Sequence, residues 1–313
     1  PRERILENYN FTLGSGVALG DVDGDGLDDI LLCAIDGPNR LFRNLGNWHF
    51  EDATASLPGN AAFRHSTGAA FADVDGDNDA DIILNTLGEG THVLLNNGEG
   101  TFERSASALG FSTRAGATGL AIGDLDGDGD LDIYVSNYGA QAVLRSGGQA
   151  QVRRIGDRWE ILGPYAHRLR FENGALEEIG EPDELFLNDG TGRFESVSLS
   201  PGRFSDDAGR PLPILSDFGL GAQMRDIDGD GAPDIYVCND FKSPDRIWMN
   251  DGTGHFRLSA PTVFRKESYA SMGVDFADVD RDGHTDIFVV EMLATKHGRR
   301  MRQHSSMQLS MPV

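Results

Sequence analysis

DVDGDGLDD, residues 21–29, sets aspartate at its first, third, fifth and ninth positions, and the pattern returns as DVDGDNDAD at 73–81, DLDGDGDLD at 124–132, DIDGDGAPD at 226–234 and DVDRDGHTD at 278–286. Twenty carboxylates at fixed alternate positions repel one another unless a cation lies among them. A hard divalent ion answers that repulsion, and Ca²⁺, which takes about six to eight oxygen ligands, fits a short loop of this kind. The expected ligands are Asp21, Asp23, Asp25 and Asp29 in the first loop and Asp73, Asp75, Asp77 and Asp81 in the second. In the third they are Asp124, Asp126, Asp128 and Asp132, in the fourth Asp226, Asp228, Asp230 and Asp234, and in the fifth Asp278, Asp280, Asp282 and Asp286. The seventh residue of each, Leu27, Asp79, Asp130, Ala232 or His284, is expected to offer its backbone carbonyl, which leaves its side chain free to vary. The sixth is Gly26, Asn78, Gly129, Gly231 or Gly283, residue types that enter positive φ at low cost. One Asp-Gly run alone would read as a solvated turn; five in fixed register read as five calcium sites. An EF-hand loop would carry a carboxylate at position twelve, where Leu32, Leu84, Val135, Val237 and Val289 stand. Tandem Gly-rich nonapeptides of the toxin-repeat type are absent.

Working outward, each loop follows a short stretch of small and apolar residues, such as GVALG at 16–20 and GAAFA at 68–72, and precedes an apolar run: DILLCA, DIILNT, DIYVSN, DIYVCN or DIFVVE. These runs read as strands, so each loop joins two of them. A second signature follows the loops: LFRNLGNWHF from Leu41, LLNNGEGTF from Leu94, LFLNDGTGRF from Leu185 and IWMNDGTGHF from Ile247. Its Asn-Gly and Asp-Gly pairs predict hairpins, with the phenylalanine on the next strand. Four strands per repeat and loop starts 52, 51, 102 and 52 residues apart predict an all-β fold, a β-propeller of four-stranded blades with the calcium loop between strands one and two. Only one third-strand motif lies in the doubled interval, so the extra length reads as an insertion at about 138–183 in the third blade, with a smaller one near 202–212.

GVALGDVDGDGLDDILL followed by NRLFRN resembles the FG-GAP/VCBS repeats of integrin α-subunit propellers. NRLFRNLGNWHFEDAT and the closing VVEMLATKHGRRMRQ are similar to the cartilage acidic protein family, whose members often carry an ASPIC/UnbV domain further on. The resemblance covers nearly the whole chain outside the insertion. It implies that first strands line a central channel, that the aspartates pin blade edges, and that the five visible repeats, 1–290, are part of a ring of about seven blades. Arg281 departs from the glycine at the fourth position of the other loops. No third-strand signature follows the fifth loop. The basic tail 291–313 reads as helical over 291–303, and a chain that opens at Pro1 without a signal peptide is expected to be a processed or incomplete form.

The formal charge of −23 over 313 residues would fall only to −13 with five Ca²⁺ bound, which argues against nucleic acid and anionic lipid as partners. No apolar run approaches a membrane span of about 20 residues. Cys33 and Cys238 each lie twelve residues after the first aspartate of their loops. Blades three steps apart cannot bring equivalent positions within disulfide reach, so two free buried thiols are expected. The eight histidines fall in no metalloprotease motif, and no nucleophile elbow or phosphate loop is present; each histidine is assigned to surface or turn. The insertion groups Trp159, Tyr165, His167, Arg168 and Arg170 with Glu160 and Glu172, a set suited to sugar recognition. The expected function is a noncatalytic, extracellular or cell-surface (or periplasmic) adhesion module for protein or glycan. The alternative is a polysaccharide-active enzyme, a lyase or dehydratase, using the face and the insertion.

Overall fold

The computed structural model describes residues 7–59, 63–105, 114–197 except 149, 157 and 173, 199, 202–260 except 241 and 242, 263, 268, 270–292 and 310–312. Among the described residues the elements are β-strands and short 3₁₀ turns. Strands β1 (Val17–Gly20), β2 (Asp29–Leu32), β3 (Arg40–Asn44) and β4 (Phe50–Asp52) form the first antiparallel sheet, in chain order. The second repeats this order with β5 (Ser66–Ala72), β6 (Asp81–Thr86), β7 (Gly90–Asn96) and β8 (Phe102–Arg104). In the third, β9 (Ala117–Gly123) and β10 (Asp132–Asn137) precede four inserted strands: β11 (Gln151–Ile155), β12 (Arg158–Leu162), β13 (Leu169–Glu172) and β14 (Ala175–Glu178). The sheet then resumes with β15 (Glu184–Asn188) and β16 (Phe194–Val197). A short β17 (Phe204–Ser205) runs parallel to the outer edge of the fourth sheet, which holds β18 (Gly219–Arg225), β19 (Asp234–Asn239), β20 (Arg246–Asn250) and β21 (Phe256–Leu258). The fifth sheet has two described strands, β22 (Ser271–Ala277) and β23 (Asp286–Glu291). The helix expected over 291–303 falls from 293 on outside the described residues, while Glu291 itself closes β23; β24 (Ser310–Pro312) pairs with β14 of the insertion.

Every Asp loop closes the same hairpin. Gly20 faces Asp29, Ala72 faces Asp81, Gly123 faces Asp132, Arg225 faces Asp234 and Ala277 faces Asp286. The residue before the loop thus always lies opposite the ninth aspartate, and the loop between them has one length.

The sheets stand side by side through their first strands, β1 against β5, β5 against β9, β9 against β18 and β18 against β22. Glycine permits that approach. A Cβ on Gly119 would lie 2.8 Å from the Gly221 Cα, and one on Gly16 2.7 Å from the Gly68 Cα. Threonines tie the strands across the seam: Thr67 Oγ1 donates to the Ala117 carbonyl (2.6 Å) and Thr118 Oγ1 to that of Gly219 (2.6 Å).

One apolar core fills each gap between neighbouring sheets. Leu31 and Leu41 meet Ile82 and Leu94; Val74 and Ile83 meet Ile133 and Phe186; Tyr134 and Leu185 meet Ile235 and Trp248; Tyr236 and Ile247 meet Val274 and Ile287. The second strands β6, β10 and β19 are buried at every residue, as strands packed on both faces must be. The end sheets leave Val17, Leu19, Phe288 and Val290 exposed.

The Asp loops and the hairpins after the third strands share one end of the sheets, because strands one and three run the same way. The insertion joins strands two and three and therefore belongs to the opposite end. There Arg168, 4% exposed, donates through Nη1 to Glu181 (2.7 Å) and through Nε to the Ile179 carbonyl (3.1 Å). Glu178 accepts from the amides of Val143 and Leu144 (2.8 and 2.9 Å). The 3₁₀ turn Tyr9–Thr12 lies against this region, with Asn8 and Asn10 donating to the carbonyls of Ala140 and Gly139.

Candidate metal centres

Within each loop the first aspartate organises the turn. Its Oδ1 accepts from the amide of the fourth residue, at 2.8 Å for Gly24, Gly76 and Gly127 and 2.7 Å for Gly229. Its Oδ2 accepts from the sixth, at 2.8 to 3.1 Å in all five loops. Both amides can point inward because both residues sit at positive φ: Gly24 at 73° and Gly26 at 85° in the first loop, Asn78 at 71° in the second. Arg281, which replaces glycine at the fourth position of the fifth loop, occupies this region too, at φ 63°. The amide of the seventh residue donates to the fifth aspartate, as Leu27 does to Asp25 (2.9 Å) and His284 to Asp282 (2.9 Å).

The ninth aspartate ties the loop to its sheet. Its Oδ2 takes the amide of the second residue, 2.8 to 3.0 Å in every loop. Its Oδ1 takes the amide of an asparagine at the end of the third strand: Asn44 on Asp29, Asn96 on Asp81, Asn188 on Asp132 and Asn250 on Asp234. The asparagine side chain then reaches the preceding sheet. Nδ2 of Asn96 donates to the Val22 carbonyl (2.8 Å), that of Asn188 to Val74 (2.8 Å) and that of Asn250 to Leu125 (2.9 Å), each the second residue of the preceding loop.

In loops one to three the first, third and ninth carboxylates gather, Asp21 with Asp23 and Asp29, Asp73 with Asp75 and Asp81, Asp124 with Asp126 and Asp132, their oxygens within 4.8 Å of one another. In loops four and five the gathered set is first, third and fifth: Asp226, Asp228 and Asp230, then Asp278, Asp280 and Asp282. Asp25, Asp77 and Asp128, and likewise Asp234 and Asp286, stand outside these groups and hold the backbone instead.

Burial and mutual repulsion raise carboxylates of the second and third clusters. Burial pushes Asp81 and Asp132 up to about 6, against the hydrogen bonds they accept. Burial, then repulsion from Asp77, raises Asp75; burial, then Asp128, raises Asp126. The Oδ1 atoms of both are buried without a hydrogen-bond partner. An orphaned carboxylate oxygen in a buried cluster is costly, and an oxygen-seeking divalent ion would satisfy it.

A family model described as an FG-GAP-like repeat matches residues 21–84, 73–135 and 226–289, each match opening on the first aspartate of a loop and together spanning more than half of the chain. The chain belongs to the FG-GAP-like repeat family. This FG-GAP-like chain is also 27% identical over 233 residues to Cartilage acidic protein 1 of Xenopus tropicalis, covering 73% of its own length and 29% of the relative. The match to the Homo sapiens protein is of the same identity and covers 28% of it, so the chain spans less than a third of the curated relatives it matches. Partial structural likenesses include an Agrocybe aegerita lectin that recognises non-reducing terminal N-acetylglucosamine (17% identity, 87% of this chain and 73% of that one, TM-score 0.35). A β-xylosidase/α-arabinofuranosidase from a compost metagenome is another (12% identity, 87% and 84%, TM-score 0.42).

The insertion does not assemble the expected cluster. Arg168 turns inward to Glu181, while Arg153 pairs with Glu160, and Arg170 with Glu172 and Glu177, on the exposed side of the inserted hairpins. Trp159, half exposed, packs on Phe171 with ring centroids 4.7 Å apart. Trp159 and Glu160 are separated because successive residues of a strand face opposite ways, whereas Arg168 ends the 3₁₀ turn that precedes β13. His92 likewise departs from the expected surface or turn position. It is buried in β7, its Nδ1 2.8 Å from Arg104 Nη2, and burial pushes its pKa down to about 4.

Two sets of residues escaped the sequence reading. The asparagines sat inside the hairpin signature, yet only their repetition ahead of the Gly pairs hinted at a further role. The second set is Asp183 and Asp245, each after a proline and just before or at the start of the third strand. Tyr134 Oη donates to Asp183 and Tyr236 Oη to Asp245, both at 2.8 Å, and the Asn137 and Asn239 amides donate to the same carboxylates. The shared Pro-Asp and Ile-Tyr-Val pairs were the available signal.

Proposed function

We propose that this chain is the calcium-stabilised β-propeller portion of an extracellular, noncatalytic binding module, with one Ca²⁺ in each of the five Asp loops. The observation that carries the reading is the recurring Asp cluster with buried, partnerless oxygens at Asp75 and Asp126. When bound, the ion supplies charge neutralisation and a hub for loop oxygens, which locks the first hairpin of each sheet to the third strand. The side-by-side packing of first strands supports the propeller assignment. Relatives named for cartilage support the extracellular setting. There, free Ca²⁺ is high enough to fill sites with dissociation constants of about 10⁻⁴ to 10⁻³ M.

The ligand surface is assigned to the end opposite the metals, where the insertion and the Tyr9–Thr12 turn cover the strand ends. Protein or glycan is the proposed partner class. Thermal melting of the purified chain in chelator and in millimolar CaCl₂ tests the metal reading. Each filled site at about ten times its Kd adds roughly 1.4 kcal/mol, so a rise in Tm of many degrees is expected. An unchanged Tm overturns the calcium assignment.

A further inference from the structure

The four sheets with a described third strand place Arg43, Leu95, Leu187 and Met249 at one equivalent position, immediately before the bridging asparagine. In the second sheet that side chain is apolar and packs by the β15–β16 hairpin of the third sheet: a Cβ on Gly192 would lie 3.4 Å from Leu95 Cδ2 and 3.2 Å from the Asp75 Cβ. In the first sheet it is a cation. Arg43 Nη2 is paired with Asp23, the aspartate at the third position of the first loop, and the Asp23 side chain is only 7% exposed. The Arg43 Nε is buried and makes no hydrogen bond, and the guanidinium is anchored on Asp23 through Nη2. The matching aspartates of loops two and three keep a partnerless buried oxygen. Arg203, whose charge reaches Asp126, directs its Nη1 to the carbonyls of Thr253 and Gly254 rather than to that carboxylate.

We propose that Arg43 is a tethered counter-ion of the first loop, competing with the divalent ion for Asp23 and making this loop the weakest of loops one to three. The inference rests on the calcium reading above and concerns how affinity is graded among the loops. Two effects act together. The ion must displace the guanidinium from Asp23 or bind beside it, and a fixed positive charge in a poorly screened site repels a second one. Arg43 in turn supplies a direct ion pair, which the matching aspartates of loops two and three lack among the described residues.

The test is a calorimetric CaCl₂ titration of the whole, metal-stripped chain, run beside Asp23→Asn, whose missing phase marks the first loop. That phase is expected to be weaker than those of loops two and three. Arg43→Leu, which installs the residue of β7 and β15, should tighten it roughly tenfold, the size of one charge-assisted contact. Arg43→Lys should leave it weak. Melting adds a second readout: Arg43→Leu should lower Tm in chelator yet enlarge the rise produced by calcium, whereas a purely structural arginine would lower both states alike. An unchanged first-loop phase in Arg43→Leu, or an equal shift of all phases, overturns the counter-ion and leaves the calcium reading standing. No calcium heat in any variant overturns both.

Discussion

Single carboxylates in this chain divide into two kinds by what answers their burial. The loop aspartates sit in groups open to an ion, whereas Asp183 is enclosed by Tyr134, the Asn137 amide and the apolar wall of Leu212, Leu215 and Trp248. Burial pushes Asp183 up to about 7 despite those hydrogen bonds. Its native pKa thus lies above its ordinary value of 3.8. The proton it retains stabilises the fold fully below that value, and the contribution is lost as pH rises through about 7. Asp183→Asn should therefore flatten the fall in stability between these limits, by up to about 1.4 kcal/mol per pH unit. Urea midpoints measured in chelator at several pH values check this, and parallel profiles for the two proteins would show that Asp183 does not titrate there. Neither Asp183 nor Asp245 stood out in the sequence, since an aspartate after proline reads as an exposed turn until a strand-two tyrosine is found over it.

At the level of strands and loops, the joint between sheets is a hydrogen bond as much as an apolar core. Asn188 makes three hydrogen bonds that span two sheets: its backbone amide donates to the Asp132 carboxylate, its Nδ2 donates to the Val74 carbonyl, and its Oδ1 accepts from the Asp189 amide. Asn188→Ala leaves the Val74 carbonyl and the Asp189 amide without these partners. The expected loss is about 2 kcal/mol, read from denaturant midpoints. Amide exchange should quicken first around residues 73–81 and 186–194, and uniform quickening across all sheets would contradict a local joint. The first and second strands were legible because glycine, aspartate and alternating apolar residues bound them so sharply. The inserted strands β11–β14 were not, because their arginines and glutamates are paired on the exposed side and carry little apolar periodicity.

For the molecule as a whole, the repeat register separates residues that one sheet would unite. Cys33, just past the end of β2, and Cys238, in β19, hold matching positions of their repeats, and both are free and buried, with burial pushing their thiols up to about 12. A thiol reagent should leave the native protein unmodified at neutral pH and label two groups per chain once it is unfolded without reductant. Labelling of none would demand a disulfide and a different arrangement of sheets. By itself the sequence determined the unit: loop length, turn conformation, strand order and the spacing of the carboxylates, all consequences of side-chain chemistry and φ preference within about fifty residues. Only the tertiary structure decided what lies between units. Asn96, Asn188 and Asn250 reach the preceding loop, Arg43 turns onto Asp23, and Arg168 folds inward. Such contacts depend on how far one sheet is set from the next, and local pattern holds no record of that distance.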